Sequence, residues 1–509
     1  MRARVLFVLL CATVTAQEKT SPAPLTVEPL GPDPARDARV TELIDELTGI
    51  AKSWYGISDT SGGGVAFDAI NTREIVPNVL RDLPRAGPPH AFRELVRLGP
   101  AAIPGLLKHL DDKRETKLSF QRDEQRVVGG MREQPELYAG CAAERALIIR
   151  ILGVGAVKNP AEPSDEVERG GWIQRHTVTV GDCCFAILGQ TVNRSYEAVR
   201  YQPTLITVVS SPTRDPRIAK ALRTWWGRGD PRQVLAQSLY QDIVNPEEWS
   251  LSKGAALRLL TYFPGEAGPI LARCIAEVWG GRLPAAHDGH RHHCQVEWLR
   301  VAMSTGHPLV RTEWLKLLDP QRPSNAQLAA LAATPEDPGE DARSRIRTLR
   351  EESKDLDLFL ACIEALPGDR SPKVFARLRK EFAAVETRDA GQTQRILAAM
   401  ARLDEDESLP IFVAHIKKLG RFGQGNVLAA LHGPPRPRLA VALLPSLLET
   451  TEPVGHLGAV RVPVKSETRW CDWAAAILAE ARPDLPFDAE ATVEERDRQI
   501  AGMREALKE

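Results

Sequence analysis

Residues 91–112 read AFRELVRLGPAAIPGLLKHLDD, two short apolar stripes parted by Gly99-Pro100. Phe92, Leu95 and Val96 keep helical spacing before the break; Ile103, Leu106, Leu107 and Leu110 keep it after. Glycine tolerates positive φ and proline cannot continue a helix, so the segment reads as helix, turn, helix. Neither helix is long enough to persist alone in water. Each needs a packed neighbour, and a chain built from such units must bury their stripes against one another.

The arrangement returns along the chain. Val40, Leu43, Ile44 and Leu47 line one helical face soon after Asp37. Ala256, Leu259, Leu260 and Phe263 precede Pro264-Gly265, and Leu271, Cys274, Ile275 and Val278 follow. Phe359, Cys362, Ile363 and Leu366 precede Pro367-Gly368, and Val374, Leu378 and Phe382 follow. Ile396, Ala399, Met400 and Leu403 precede an acidic turn, with Leu409, Phe412, Val413 and Ile416 beyond it. Residues 427–431 and 443–448 make another pair, and Trp470, Trp473, Ala474 and Ile477 a further core face. First helices at 359, 396, 428 and 470 are spaced by 37, 32 and 42 residues, which suits stacked helix pairs.

On these residues LVRLGPAAIPGLLKHLDD resembles a HEAT repeat: apolar helix, Gly-Pro turn, second apolar helix, closing Asp. The segments HTVTVGDCCFAILGQTVNRSYEAVRYQP and DDKRETKLSF resemble a group of uncharacterised exported bacterial HEAT-like proteins, and the likeness spans most of residues 40–485. The resemblance implies an all-α fold, a right-handed α-solenoid of stacked antiparallel helix pairs with irregular loop insertions. It brings binding surfaces and no catalytic residues.

Residues 1–16, MRARVLFVLLCATVTA, carry Arg2 and Arg4, a short apolar core and a small-residue cleavage site, the pattern of a secretory signal peptide. Its apolar stretch falls short of the roughly 20 residues that span a bilayer. The expected location is periplasmic or extracellular. Cleavage leaves Cys141, Cys183, Cys184, Cys274, Cys294, Cys362 and Cys471, an odd number and sparse for a disulfide framework. Most sit in apolar helical patterns, where cysteine behaves as a small hydrophobe.

The remaining text divides as a Pro-rich linker at 17–36, repeats at 37–331, a hinge or loop at 332–345, repeats at 346–485 and a charged helix or tail at 486–509. Residues 58–64 (SDTSGGG) read as a flexible loop, and 121–134 and 158–171 as polar insertions. The β-branched run TVTV at 177–180 fits an extended segment before a helix that opens near Asp182. LITVV at 205–209 suits helix or strand equally.

Candidate chemistry clusters in AHDGHRHHC. His287, His290, His292, His293 and Cys294 offer imidazole and thiolate ligands for zinc or copper, in what reads as a loop between repeat helices. Adjacent ligands such as His292 and His293 point apart in most backbones, and no H-E-x-x-H or paired C-x-x-C accompanies them. Cys183-Cys184 fits core filling; a catalytic thiol there would need a base, with His176 nearby in number. Trp225, Trp226 and Arg228 form a candidate recognition patch, since aromatics beside arginine favour interfaces as well as cores. Arg194, Arg200, Arg214, Arg217 and Arg223 read as a solvated basic face.

With 66 Lys+Arg against 67 Asp+Glu, formal charge is −1, and nucleic acid is not an expected partner. The expectation is an exported interaction or scaffold module with an unidentified protein partner, no catalysis of its own, no cofactor and no transmembrane segment. The alternative is a metal-binding or metal-dependent envelope protein using residues 287–294. A carbohydrate-active solenoid is a third reading, without nominated carboxylates.

Overall fold

The computed structural model describes residues 25–52, 89–121, 131–133, 137, 140–152, 172–201, 207–245, 249–280, 289–367, 369, 371–385, 389–403, 405–416, 437–452 and 469–507. The leader at 1–16, the loop at 58–64, the insertion at 158–171 and the stripe at 427–431 lie outside the described residues. The chain is mostly helical and divides into two compact units, Met1–Gly281 and Arg282–Glu509.

In the first unit, Asp-Pro opens three helices. Asp33 precedes α1 (Pro34–Glu46) and accepts from the amides of Ala35 and Arg36. Asp215 caps α6 (Pro216–Trp226) through Arg217 N, and Asp230 caps α7 (Pro231–Val244) through Gln233 N. The aspartate satisfies orphan donors, and proline has no N–H to leave unsatisfied. The expected pair at 91–112 is present as α2 (His90–Leu98), a 3-10 turn at Gly99–Ala101 and α3 (Ile103–Lys108). Gly99 has φ +56, and a Cβ on it would meet the Tyr262 ring at 2.4 Å. Tyr262 closes α8 (Ser252–Tyr262) and donates to Val96 O at 2.6 Å, so the turn is locked from outside its own helix pair. Ala256, Leu259 and Phe263 are buried here, as are Leu271, Cys274, Ile275 and Val278 of α9 (Ala267–Gly280).

Around α5 (Val180–Val192) the unit departs from a plain series of pairs. All 13 residues of this helix are buried, and apart from Asp182 and Gln190 VGDCCFAILGQTV presents apolar or small side chains around its circumference. It packs against α1, α2, α3 and α7. The TVTV run is strand as far as Thr179: β4 (Arg175–Thr179) pairs antiparallel with β1 (Glu115–Gln121), with Phe120 opposite His176. Alternate burial of Thr116, Leu118 and Phe120 gives β1 its inward face. A second sheet has the order β3-β2-β6-β5, from β2 (Met131–Glu133), β3 (Trp172–Ile173), β5 (Val199–Tyr201) and β6 (Thr207–Val209). β2 and β6 run parallel; the other neighbours run antiparallel. Of LITVV, the described residues 207–209 are strand. α4 (Ala142–Leu152) packs on α6.

Part of the expected linker is docked. Leu25 and Val27 are buried, Leu30 N donates to Asp230 Oδ2 at 2.9 Å, and Arg232 Nε donates to Glu28 O at 2.8 Å. Two apolar side chains and the polar start of α7 hold residues 25–30 as a strap.

The second unit is a run of helices: α10 (Gly289–Met303), α11 (Pro308–Leu317), α12 (Ser324–Ala332), α13 (Gly339–Glu352), α14 (Leu356–Ala365), α15 (Pro372–Val385), α16 (Ala390–Leu403), α17 (Glu405–Ile416), α18 (Pro437–Leu443), α19 (Trp470–Ala481) and α20 (Val493–Ala506). Their principal neighbours are one or two places along the chain. α10 meets α12, α12 meets α14 and α14 meets α16, while α11, α13 and α15 each meet the helix that follows. One apolar core runs from Phe359 to Met503 and takes in Leu378, Met400, Phe412 and Trp473. Trp470 and Trp473 meet edge to face at 5.6 Å, as expected of core aromatics. The segment 332–345 is less loop than its composition implies. Only residues 333–338 connect, and helix resumes at Gly339 with Glu340 and Asp341 in the first turn, where the helix dipole favours acids. The unit boundary at Gly281 precedes this segment.

Candidate functional site

The corner that follows α5 collects buried charge. The helix ends at Asn193, whose φ of 62° is left-handed, a conformation asparagine tolerates better than most residues. The turn sends Arg194 inward. Its Nε donates to Glu144 Oε2 at 3.0 Å, its Nη1 to Asp242 Oδ2 at 2.6 Å and its Nη2 to Ser238 Oγ at 2.8 Å. Tyr196 OH donates to Glu144 Oε1 at 2.8 Å, and Trp226 Nε1 donates to Tyr196 OH at 3.1 Å. Tyr196 also stacks on Phe185 with centroids 5.2 Å apart. Asn193 Nδ2 donates to Asp242 Oδ2 at 2.8 Å, and Arg258 Nη1 of α8 donates to Asn193 Oδ1 at 2.8 Å. Glu144, Arg194, Asp242 and Arg258 are all buried.

Two glycines make room for this knot. A Cβ on Gly140 would fall 2.0 Å from Arg194 Nη2, and one on Gly254 would fall 2.3 Å from Asn193 Oδ1. Burial pushes the Asp242 carboxyl up to about 6 against the pull of Arg194 and Asn193. Burial lowers the Arg258 guanidinium to about 10. The knot joins α4, the end of α5, α6, α7 and α8. Its chemical capacity is cohesion and proton exchange.

This corner overturns one sequence expectation. Arg194 is not part of a solvated basic face, because Glu144 and Asp242 neutralise it from 50 and 48 residues away. Arg214, by contrast, pairs at the surface with Glu133 at 2.9 Å, and Arg217 with Asp215 at 2.6 Å.

A second buried pair fastens β4 to α5. His176 Nε2 lies 3.0 Å from Asp182 Oδ2, which also accepts from Thr179 N at 2.9 Å. Thr179 Oγ1 accepts from Asp182 N in return, completing a capping box. His176 is thus engaged by a carboxylate. Burial pushes the Cys183, Cys184 and Cys274 thiols up and that of Cys362 up to about 12, which keeps them protonated and unreactive.

The residues singled out for recognition do not project. Trp225 and Trp226 are buried in α6, and the exposed Arg228 covers the Trp225 ring with its guanidinium 3.6 Å from the centroid. Packing of α6 consumes both indoles, leaving Arg228 as the exposed member. Of the His-rich segment, His287 lies outside the described residues. From Gly289 the chain is helix and not loop, so positions 290, 292, 293 and 294 fall in the first turns of α10, with Cys294 half-buried. Among the described residues no helix is long and apolar enough to cross a membrane.

Comparison with protein-family models, with curated proteins and with solved structures gives no match.

Proposed function

We infer that this chain is an exported helical-repeat protein whose work is to bind another protein, as a scaffold without catalysis of its own. The observation that carries the reading is the neighbour pattern of the second unit, where α10, α12, α14 and α16 follow one another as one row and α11, α13 and α15 alternate with them. Contacts confined to adjacent members are the signature of a quasi-one-dimensional stack. We read that stack as a right-handed HEAT-like solenoid, with its outer helix row and connecting loops as the partner surface. The leader-like pattern of residues 1–16 supports a periplasmic or extracellular location.

The test is residue-resolved cross-linking of the full-length protein in its native envelope fraction. The expected result is one protein partner at fixed stoichiometry, with cross-links confined to one helix row and abolished by Lys373→Glu with Lys380→Glu or by an equivalent charge reversal on that row. Cross-links scattered over both units and indifferent to such changes would remove the reading.

Helical phase favours a second reading. Positions 290, 293 and 294 are spaced i, i+3, i+4 at the start of α10, the spacing by which a helix offers neighbouring ligands to zinc or copper. Metal analysis of untagged protein before and after chelation separates the two. Stoichiometric metal that is lost on His290→Ala would favour metal handling; its absence would leave the scaffold.

A further inference from the structure

We propose that Asp242 is a proton-operated lock in the first unit, and that one proton taken up on its Oδ1 tightens the corner where α4, α5, α7 and α8 meet. Two buried carboxylates share the Arg194 guanidinium there. Glu144 is fully served: Gly140 N and Arg194 Nε donate to Oε2, and Tyr196 OH donates to Oε1. Asp242 is not. Its Oδ2 accepts from Arg194 and Asn193, while Oδ1 meets no donor among the described residues. When two carboxylates crowd one cation in a dry site, the proton goes to the less satisfied of them.

The other charges around α7 agree with that assignment. Glu144 opposes ionisation of Asp242, and Arg258 from α8 and Cys141 ahead of α4 lie within its field. Arg232, at the start of α7, is engaged by Glu266. Arg273, Cys274 and Glu277 of α9 gather at Tyr240, and the Tyr262 phenol faces Arg258.

The direction of the response follows from linkage. The closed corner holds the carboxyl near 6; an opened, hydrated corner returns it to its ordinary value of 3.8. The closed state therefore binds the proton more tightly. Its advantage is absent well above the raised value, grows as pH falls through it, and is complete below the ordinary one. Mild acid strengthens this junction, opposite to the sense expected from breaking an ion pair.

Amide hydrogen exchange on the full chain, corrected for intrinsic rates, tests the lock. From pH 7.5 to pH 5 the opening equilibrium of α5 and α7 should fall about tenfold in the wild type. It should be flat in Asp242→Asn, which carries a permanently neutral, donor-bearing group. Infrared difference spectra should show a buried protonated carboxyl appearing over the same range with a midpoint near 6, missing in the Asn variant. A flat wild-type profile, a carboxyl midpoint below 5, or a band that survives Asp242→Asn would overturn the proposal. The wild-type infrared titration decides alone if the variant does not fold.

Discussion

Arg194 shows how much one side chain can organise. It bonds Glu144 from α4, Ser238 and Asp242 from α7, and the backbone of Val192 and Asn193 at its own turn. Removing the cation strands two buried carboxylates. Arg194→Met should therefore cost about 3–5 kcal/mol, read as a fall in the urea midpoint. Adding Asp242→Asn should recover part of that loss, because one stranded charge goes with it; an additive double variant would refute the coupling. None of this was legible in the sequence. A buried arginine and an exposed one look alike until their distant partners are placed. The glycines at 140 and 254 carry the same information in a form that only the packed structure exposes. Trp225 and Trp226 are the converse: aromatics serve cores and interfaces alike, and their sequence context did not say which.

At the scale of elements, local chemistry was the readable part. The extended TVTV run and a helix start near Asp182 correspond to β4 and α5, and Thr179 with Asp182 forms the capping box between them. Thr179→Ala should lower stability by about 1 kcal/mol, seen as a drop in Tm, while Thr179→Ser should be nearly silent. Asp-Pro was an equally local signal for α1, α6 and α7, present in the letters but not read. Strand pairing was not legible: Met131 of β2 meets Thr207 of β6, partners that no short-range pattern connects. Residues 339–345 failed for another reason. Proline, glycine and acids signal a loop, yet the same residues suit a helix N-terminus, and α13 uses them so.

Across the whole molecule, the two units differ in how they bury apolar surface. The first is gathered around α5, reached from α1, α2, α3 and α7. The second passes its core from each helix to the next, ending with Ile500 and Met503 of α20 against α19. α20 is also held by Arg496, whose Nη1 lies 2.9 Å from Asp472 Oδ2. A run with neighbour-only contacts should open from its end. Met503→Ala should raise amide exchange in α20 and α19 and leave α12 unchanged; a rise in α12 as well would mean the unit unfolds as one. The helical rhythm announced the helices, wherever a stripe meets a breaker, but not which helix each one packs against. The hub-like role of α5 was hidden because its apolar residues lie all round the helix, leaving no single face to read.

The strap at residues 25–30 has a temporal meaning. Its berth is built by Asp230, Arg232 and Gln237, some two hundred positions downstream. A ribosome delivers residues 25–30 well before α7, and until α7 is made their berth does not exist. Leu25 and Val27 can leave water in that berth only after α7 has emerged, so this stretch is fastened long after it is made.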